Sequence, residues 1–155
     1  MEEIKVDVKV HSMIYDLLCD EDTKPDKISY TAEGRFYQNG EQLELSYNEP
    51  DDIGMDGCVT TLIFFADNPT YINMHRTGDV TSGLSFDKNN HRQTCITTVN
   101  NMPIEFAVYT RNLSNSLCEE GGMINLDYVL EFKGIKTQRN VMRIDIKPRK
   151  EENNG

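Results

Sequence analysis

The chain has 155 residues, of which 37% are hydrophobic and 27% are charged, the proportions of one soluble globular domain. Its formal net charge of −10 argues against nucleic-acid and anionic-membrane partners, because both need clustered lysine and arginine. The acidic start, MEEIKVDV, lacks signal-peptide character, and no apolar run approaches the roughly 20 residues of a membrane-spanning helix. We therefore expect a cytoplasmic protein that binds neither nucleic acid nor membrane.

Apolar and polar residues alternate along most of the chain, with the period of two that is typical of antiparallel strands with one buried face. The first alternating run begins at Ile4, and the next two buried faces begin at Ile28 and Leu43. The segment 59–66 is apolar on nearly both faces. The remaining strands are predicted at 71–77, 83–86, 92–99, 102–113, 123–133 and 138–147.

Short turn signals separate these strands, which favours hairpins between consecutive strands. Roughly nine or ten sequential strands would leave two exposed edges unless the sheet closed on itself. We therefore predict an all-β fold, an antiparallel up-and-down barrel of about eight to ten strands. It would form a single domain at residues 1–148, followed by a disordered polar tail at 149–155, with a two-sheet sandwich as the alternative. The residues predicted to be buried include Ile104, Phe106, Val108, Ile124, Leu126 and Ile144.

Some residues on the predicted buried faces are polar. Counting back by twos from Arg76 gives Met74 and Ile72, so an arginine shares the inner face of its strand. A buried arginine needs a carboxylate or several carbonyl acceptors, because an unpaired buried charge is very costly. Glu49, on the same face as Leu45, is the first candidate partner. The alternation also turns these hydroxyl-bearing residues inward: Tyr47, Thr94, Thr98, Thr110 and Tyr128.

This polar set has two interpretations. Arg76 and Glu49 can form a structural pair that plugs one end of a filled barrel, or Arg76 can anchor an acidic small ligand. The second interpretation defines a candidate ligand-binding site, whose residues are Arg76, Glu49, Tyr47, Thr98, Thr110 and Tyr128.

Residues that commonly bind metals or carry out catalysis do not form a recognisable motif. His11 and His75 fall on outward faces, and His91 falls in a turn, without the spacing of metal ligands. The acidic segment 50–57 lacks the ligand order of a calcium-binding loop. We therefore assign no catalytic residue, metal or cofactor. The four cysteines are predicted to be reduced thiols: Cys19, Cys58, Cys95 and Cys118.

Several short motifs follow one another from Ile4 to Lys147: Gly34-x-Phe36-Tyr37, Leu45-Ser46-Tyr47-x-Glu49, Arg76-x-Gly78, Leu84-x-Phe86, Thr97, Thr110, Gly121-Gly122, Tyr128 and Asn140. Their order and spacing resemble those of the YwiB-like bacterial proteins, a family of unknown function. The resemblance implies a calycin-type, lipocalin-like β-barrel of bacterial origin. It implies no activity, because the family has no established activity to carry over.

The leading functional prediction is a binding protein, a monomer or homodimer that holds a small acidic or amphipathic molecule inside its barrel. One alternative is a non-enzymatic interaction or structural protein with a filled barrel. A second alternative is an enzyme that uses the polar site at Arg76 and Glu49. An open lumen of a few hundred cubic ångströms would favour the binding protein.

Overall fold

The computed structural model describes residues 2–18, 24–49, 57–78, 80–89, 92–99, 101–118 and 120–149. Within these ranges the secondary structure is ten β-strands, with no helix. The strands are β1 (Glu2–Asp16), β2 (Asp26–Asn39), β3 (Gln42–Asn48), β4 (Val59–Phe65), β5 (Asn68–Thr77), β6 (Val80–Asp87), β7 (Arg92–Val99), β8 (Met102–Asn115), β9 (Gly122–Phe132) and β10 (Ile135–Pro148).

The ten strands form one closed, antiparallel, up-and-down barrel. Each strand pairs with the next in sequence, and β1 pairs with β10 to complete the circle. The closing ladder runs without interruption from Val6 opposite Pro148 to Asp16 opposite Gln138. Closure pairs the strands that would otherwise be sheet edges. The predicted all-β, up-and-down barrel is therefore confirmed.

Tight hairpins connect many of the strands. The β9–β10 hairpin turns at Lys133 and Gly134, whose φ angles are 52° and 80°. Two consecutive positive φ values match the twist of the flanking strands, as in a type I′ turn. Asn101, between β7 and β8, has a φ of 63°, which asparagine tolerates better than most residues.

The barrel has two unlike ends. We call the end where odd-numbered strands finish and even-numbered strands begin the site end. Apolar side chains fill the other end, and Phe36, Phe64 and Phe86 are buried there. Four of the six predicted core residues are also buried: Val108, Ile124, Leu126 and Ile144. Ile104 and Phe106 are only half-buried, because they lie near the start of β8, at the site end.

The prediction of which face of β7 points inward is wrong. Ile96 is 57% exposed and Thr94 is exposed, whereas Cys95 is buried and Thr97 faces the lumen. Thr98 therefore points outward and does not belong to the predicted site. By sequence, Ile96 falls on one face of the strand and Cys95 and Val99 fall on the other, so apolar residues occur on both faces and neither face carries a continuous apolar row. Cysteine is among the residues most often fully buried, which agrees with the burial of Cys95.

The β6–β7 seam is the shortest ladder described in the barrel. It pairs residues 80–82 with residues 97–99. Farther along β6, the backbone N–H of Asp87 donates a hydrogen bond to Oγ1 of Thr110 on β8, at 3.2 Å. Thr110 is 2% exposed, so this hydrogen bond is buried. It links β6 to β8 beyond the described β6–β7 pairs.

Some predictions fall outside the described residues, namely those on Cys19, on His91, on most of the acidic segment 50–57 and on the tail from residue 150. Arg149, predicted to begin that tail, instead donates its backbone N–H to the carbonyl of Lys5 at 2.8 Å. The other three cysteines are free thiols. Among the described residues we find no helix that could span a membrane.

Candidate functional site

Strand ends bring four polar side chains together inside the site end of the barrel. Glu49 directly follows β3, Thr60 is the second residue of β4, and Arg76 is the second-last residue of β5. The register places Thr60 opposite Arg76 on the neighbouring strand. Tyr30, near the start of β2, reaches Glu49 from the other side. We call these four residues the Glu49 cluster.

Hydrogen bonds engage both oxygens of the Glu49 carboxylate. Thr60 donates its hydroxyl to Oε1 at 2.6 Å, and Tyr30 donates its hydroxyl to Oε2 at 2.5 Å. Arg76 donates Nε–H to Oγ1 of Thr60 at 3.3 Å, and its Nη2 lies 3.5 Å from Oε1 of Glu49. The carboxylate is therefore fixed by two hydroxyl groups and one guanidinium.

Burial differs between the two charged groups of the cluster. The Glu49 side chain is 1% exposed, whereas the Arg76 side chain is 18% exposed. A carboxylate this deeply buried needs hydrogen bonds to replace its lost hydration, and the cluster supplies them. The backbone is fixed as well, because the N–H of Glu49 donates to the carbonyl of Cys58 at 2.9 Å.

Three tyrosines, one in the cluster and two beside it, keep their hydroxyl protons. Burial, the neighbouring Tyr47 and the hydrogen bond to Glu49 raise the pKa of Tyr30 far above its ordinary value. Burial and the charge of Glu49 raise the pKa of Tyr47, although Arg76 acts in the opposite direction. Burial raises the pKa of Tyr128 to about 12, against an opposing effect of Arg76. At neutral pH all three hydroxyls therefore carry their protons, and Tyr30 donates its proton to Glu49.

A cavity of about 340 Å³ adjoins the cluster inside the barrel. Its polar wall consists of Ser12, Tyr30, Glu49, Arg76, Ser82, Thr97, Tyr128, Gln138 and Asn140. Its apolar wall consists of Ile14, Ile28, Leu84, Phe106, Leu130 and Met142. Arg76 and Glu49 are the charged residues of this lining. Each oxygen of Glu49 already accepts one hydroxyl hydrogen bond, whereas Arg76 has donors that face no described acceptor.

The structure brings together four of the six predicted site residues. Arg76, Glu49 and Tyr128 line the cavity. Tyr47 is buried beside them, close enough for its pKa to respond to Glu49 and Arg76. The other two do not join the site, since Thr98 faces outward and Thr110 is buried in the wall near Asp87.

The predicted site omits several polar residues, among them Thr60, Tyr30 and Asn140. Thr60 shares a face with Leu62 and Phe64, but its strand looked apolar on nearly both faces, which hid the hydroxyl. Tyr30 lies two residues after Ile28, on the predicted inner face of β2, where a tyrosine is equally compatible with an apolar core. Asn140 belongs to the motifs that carry the family resemblance. Period-two alternation turns all three inward, so the signal was present in the sequence.

Comparison with known proteins supports the fold and identifies the family. The crystal structure of the ywiB protein from Bacillus subtilis matches with a TM-score of 0.77 at 20% identity, covering 96% of this chain and 94% of that chain. No match was found among curated proteins. A family model described as "Domain of unknown function (DUF1934)" matches residues 12–144, which run from β1 to β10. The chain therefore belongs to the DUF1934 family, the YwiB-like proteins of unknown function.

Proposed function

We propose that the protein binds a small amphipathic molecule, with an acidic group, in the cavity at the site end of the barrel. One observation carries the proposal: Arg76 lines an open cavity next to a carboxylate whose oxygens already accept two hydroxyl hydrogen bonds. Nη1 of Arg76 forms no ion pair or hydrogen bond with any described residue. A guanidinium with unused donors suits a carboxylate, because its planar fork can bind two oxygens at once.

The apolar wall supports an amphipathic ligand. Ile28, Phe106 and Leu130 are half-buried, whereas Glu49 and Tyr128 are buried. Glu49 and Tyr128 therefore lie deeper than these three apolar residues, whereas Arg76, the proposed anchor, is half-buried. A ligand with an acidic head and an apolar body would match both regions. The volume of about 340 Å³ falls within the range of small-molecule sites.

The same geometry gives less support to the two alternatives. A structural plug would leave little free space beside Arg76, yet Arg76 lines a cavity of about 340 Å³. An enzyme would need a base free to take a proton, and the two oxygens of Glu49 are occupied by Thr60 and Tyr30.

Isothermal titration calorimetry with octanoate and 1-octanol tests the proposal, because the two probes differ only in the acidic group. We expect the wild type to bind octanoate at least about tenfold more tightly than 1-octanol, since a charge-assisted hydrogen bond is roughly twice as strong as a neutral one. The Arg76→Met variant should lose that preference. Arg143→Met is the matched control, because Arg143 pairs with Asp145 and its side chain is 53% exposed.

Equal affinity for the two probes, or an octanoate affinity unchanged in Arg76→Met, would contradict the proposal. Native mass spectrometry of protein purified from its own cells adds an independent measurement. The proposal predicts a retained small acid in the wild type that is absent from Arg76→Met. A ligand-free spectrum together with no calorimetric binding would favour the filled-barrel interaction protein.

A further inference from the structure

Asn140 has a hydrogen-bond donor that no described residue satisfies. The residue is 5% exposed and lines the cavity, and its Nδ2 is buried without a hydrogen-bond partner. Its Oδ1 accepts a hydrogen bond from Nε2 of Gln138 at 3.0 Å, so Nδ2 is the amide atom that is left without a partner. A buried N–H without an acceptor is costly, so its persistence in a cavity wall points to an acceptor supplied from the cavity.

Tyr128 stands next to Asn140 and also has an unused hydroxyl. The two residues are direct partners across the β9–β10 ladder, so their side chains are neighbours on the inner face. The Tyr128 hydroxyl forms no hydrogen bond with the residues that the structure describes. Arg76 lies close enough to influence the pKa of Tyr128. The amide and the hydroxyl therefore form a second polar point in the cavity, near the guanidinium.

We infer that Asn140 and Tyr128 select a ligand with a neutral oxygen acceptor, a hydroxyl or carbonyl group, close to its acidic group. This inference rests on the proposed function, because Arg76 must hold the acid for the second oxygen to reach Asn140. An additional anionic group would not suit this position, because the carboxylate of Glu49 lies in the same wall. The ligand class is thus an oxygenated carboxylic acid with one negative charge.

Calorimetry with octanoate, 2-hydroxyoctanoate and 3-hydroxyoctanoate tests the inference. We expect the wild type to bind at least one hydroxy acid about tenfold more tightly than octanoate, the gain from one well-placed hydrogen bond. Asn140→Leu, which keeps the size but removes the amide, should abolish this preference, so that neither hydroxy acid binds more tightly than octanoate. Tyr128→Phe removes only a hydroxyl and should also reduce the preference, so it decides the test if Asn140→Leu does not fold.

The outcomes separate this inference from the proposed function. If octanoate binds through Arg76 but neither hydroxy acid binds more tightly, the selective role of Asn140 and Tyr128 is overturned and the proposed function stands. A hydroxy-acid preference that survives in both variants would also overturn it. If octanoate binding does not depend on Arg76, the proposed function fails, and the inference fails with it.

Discussion

The Thr60 hydroxyl donates to Oε1 of Glu49 at 2.6 Å and also accepts the Nε–H of Arg76 at 3.3 Å. One hydroxyl therefore connects the acid to the base on neighbouring strands. Thr60 is fully buried, so water does not replace either hydrogen bond if the hydroxyl is removed. Nη2 of Arg76 lies 3.5 Å from Oε1 of Glu49, which is too far for a short hydrogen bond. The Thr60 hydroxyl therefore provides the hydrogen-bonded bridge between the two charged side chains.

Replacing Thr60 with valine is expected to lower the free energy of unfolding by about 2 kcal/mol. Valine has nearly the same shape, so the loss comes from leaving a buried carboxylate oxygen without its hydroxyl donor. Urea denaturation measures the change. Thr61→Val is the matched control, because Thr61 points to the outer face and its hydroxyl forms only a long 3.5 Å contact with Ser46. Similar losses in the two variants would contradict the importance of the bridge.

Arg76→Met is expected to cost only about 1–2 kcal/mol of stability. Glu49 keeps both hydroxyl donors in this variant, and Arg76 is itself partly exposed. A buried ion pair that loses one partner typically costs more, about 3–5 kcal/mol. A double-mutant cycle with Glu49→Gln measures the coupling, which we expect to be about 1 kcal/mol or less. A loss of the larger size with strong coupling would favour the structural-plug interpretation.

The sequence predicted the fold better than the site, because the strands of a barrel all alternate inward-facing and outward-facing side chains. Alternation placed Arg76, Glu49 and Tyr128 on inner faces correctly, since their strands carry a clear apolar row. It failed at β7, where apolar residues fall on both faces. It also could not find the cavity, because an inward-facing residue such as Thr110 can be buried in the wall instead. Which inner residues border empty space depends on side-chain packing across the barrel, and alternation carries no information about it.

Gly78→Ala is expected to destabilise the protein by about 2–3 kcal/mol. Gly78 has a φ of 138°, and an added Cβ would lie 2.9 Å from both Cα and Sγ of Cys58. Backbone strain and this clash both contribute. Gly40→Ala is the matched control, because Gly40 also has a positive φ, of 63°, but has open space around it. It should lose about 1 kcal/mol.

Thermal unfolding of the two glycine variants checks this prediction. Cys58 accepts the backbone hydrogen bond of Glu49, so displacement of Cys58 should also weaken octanoate binding in Gly78→Ala. Octanoate affinity should be unchanged in Gly40→Ala. Equal destabilisation in the two variants would show that the close approach to Cys58 has no energetic consequence, and would leave the Arg76-x-Gly78 motif without a structural reason.

The buried tyrosines predict a loss of stability at alkaline pH. Burial raises the pKa of Tyr128 to about 12, whereas an unfolded tyrosine titrates near pH 10. The folded state therefore holds this proton more tightly, and its stabilising effect is complete below about pH 10. As the pH rises from about 10 to about 12, the unfolded state loses the proton first, and stability falls. Tyr30 and Tyr47 are shifted in the same direction and add to the fall.

Tyr128→Phe isolates the contribution of one tyrosine to this fall. The variant has no proton to lose at this position, so its free energy of unfolding should decline less steeply between about pH 10 and pH 12. The expected difference in slope is about 1.4 kcal/mol per pH unit, the value for one proton. Urea denaturation of both proteins across this range measures the slopes, and the two curves should be parallel at neutral pH. Parallel curves up to about pH 12 would contradict the burial of a protonated Tyr128 hydroxyl beside Arg76.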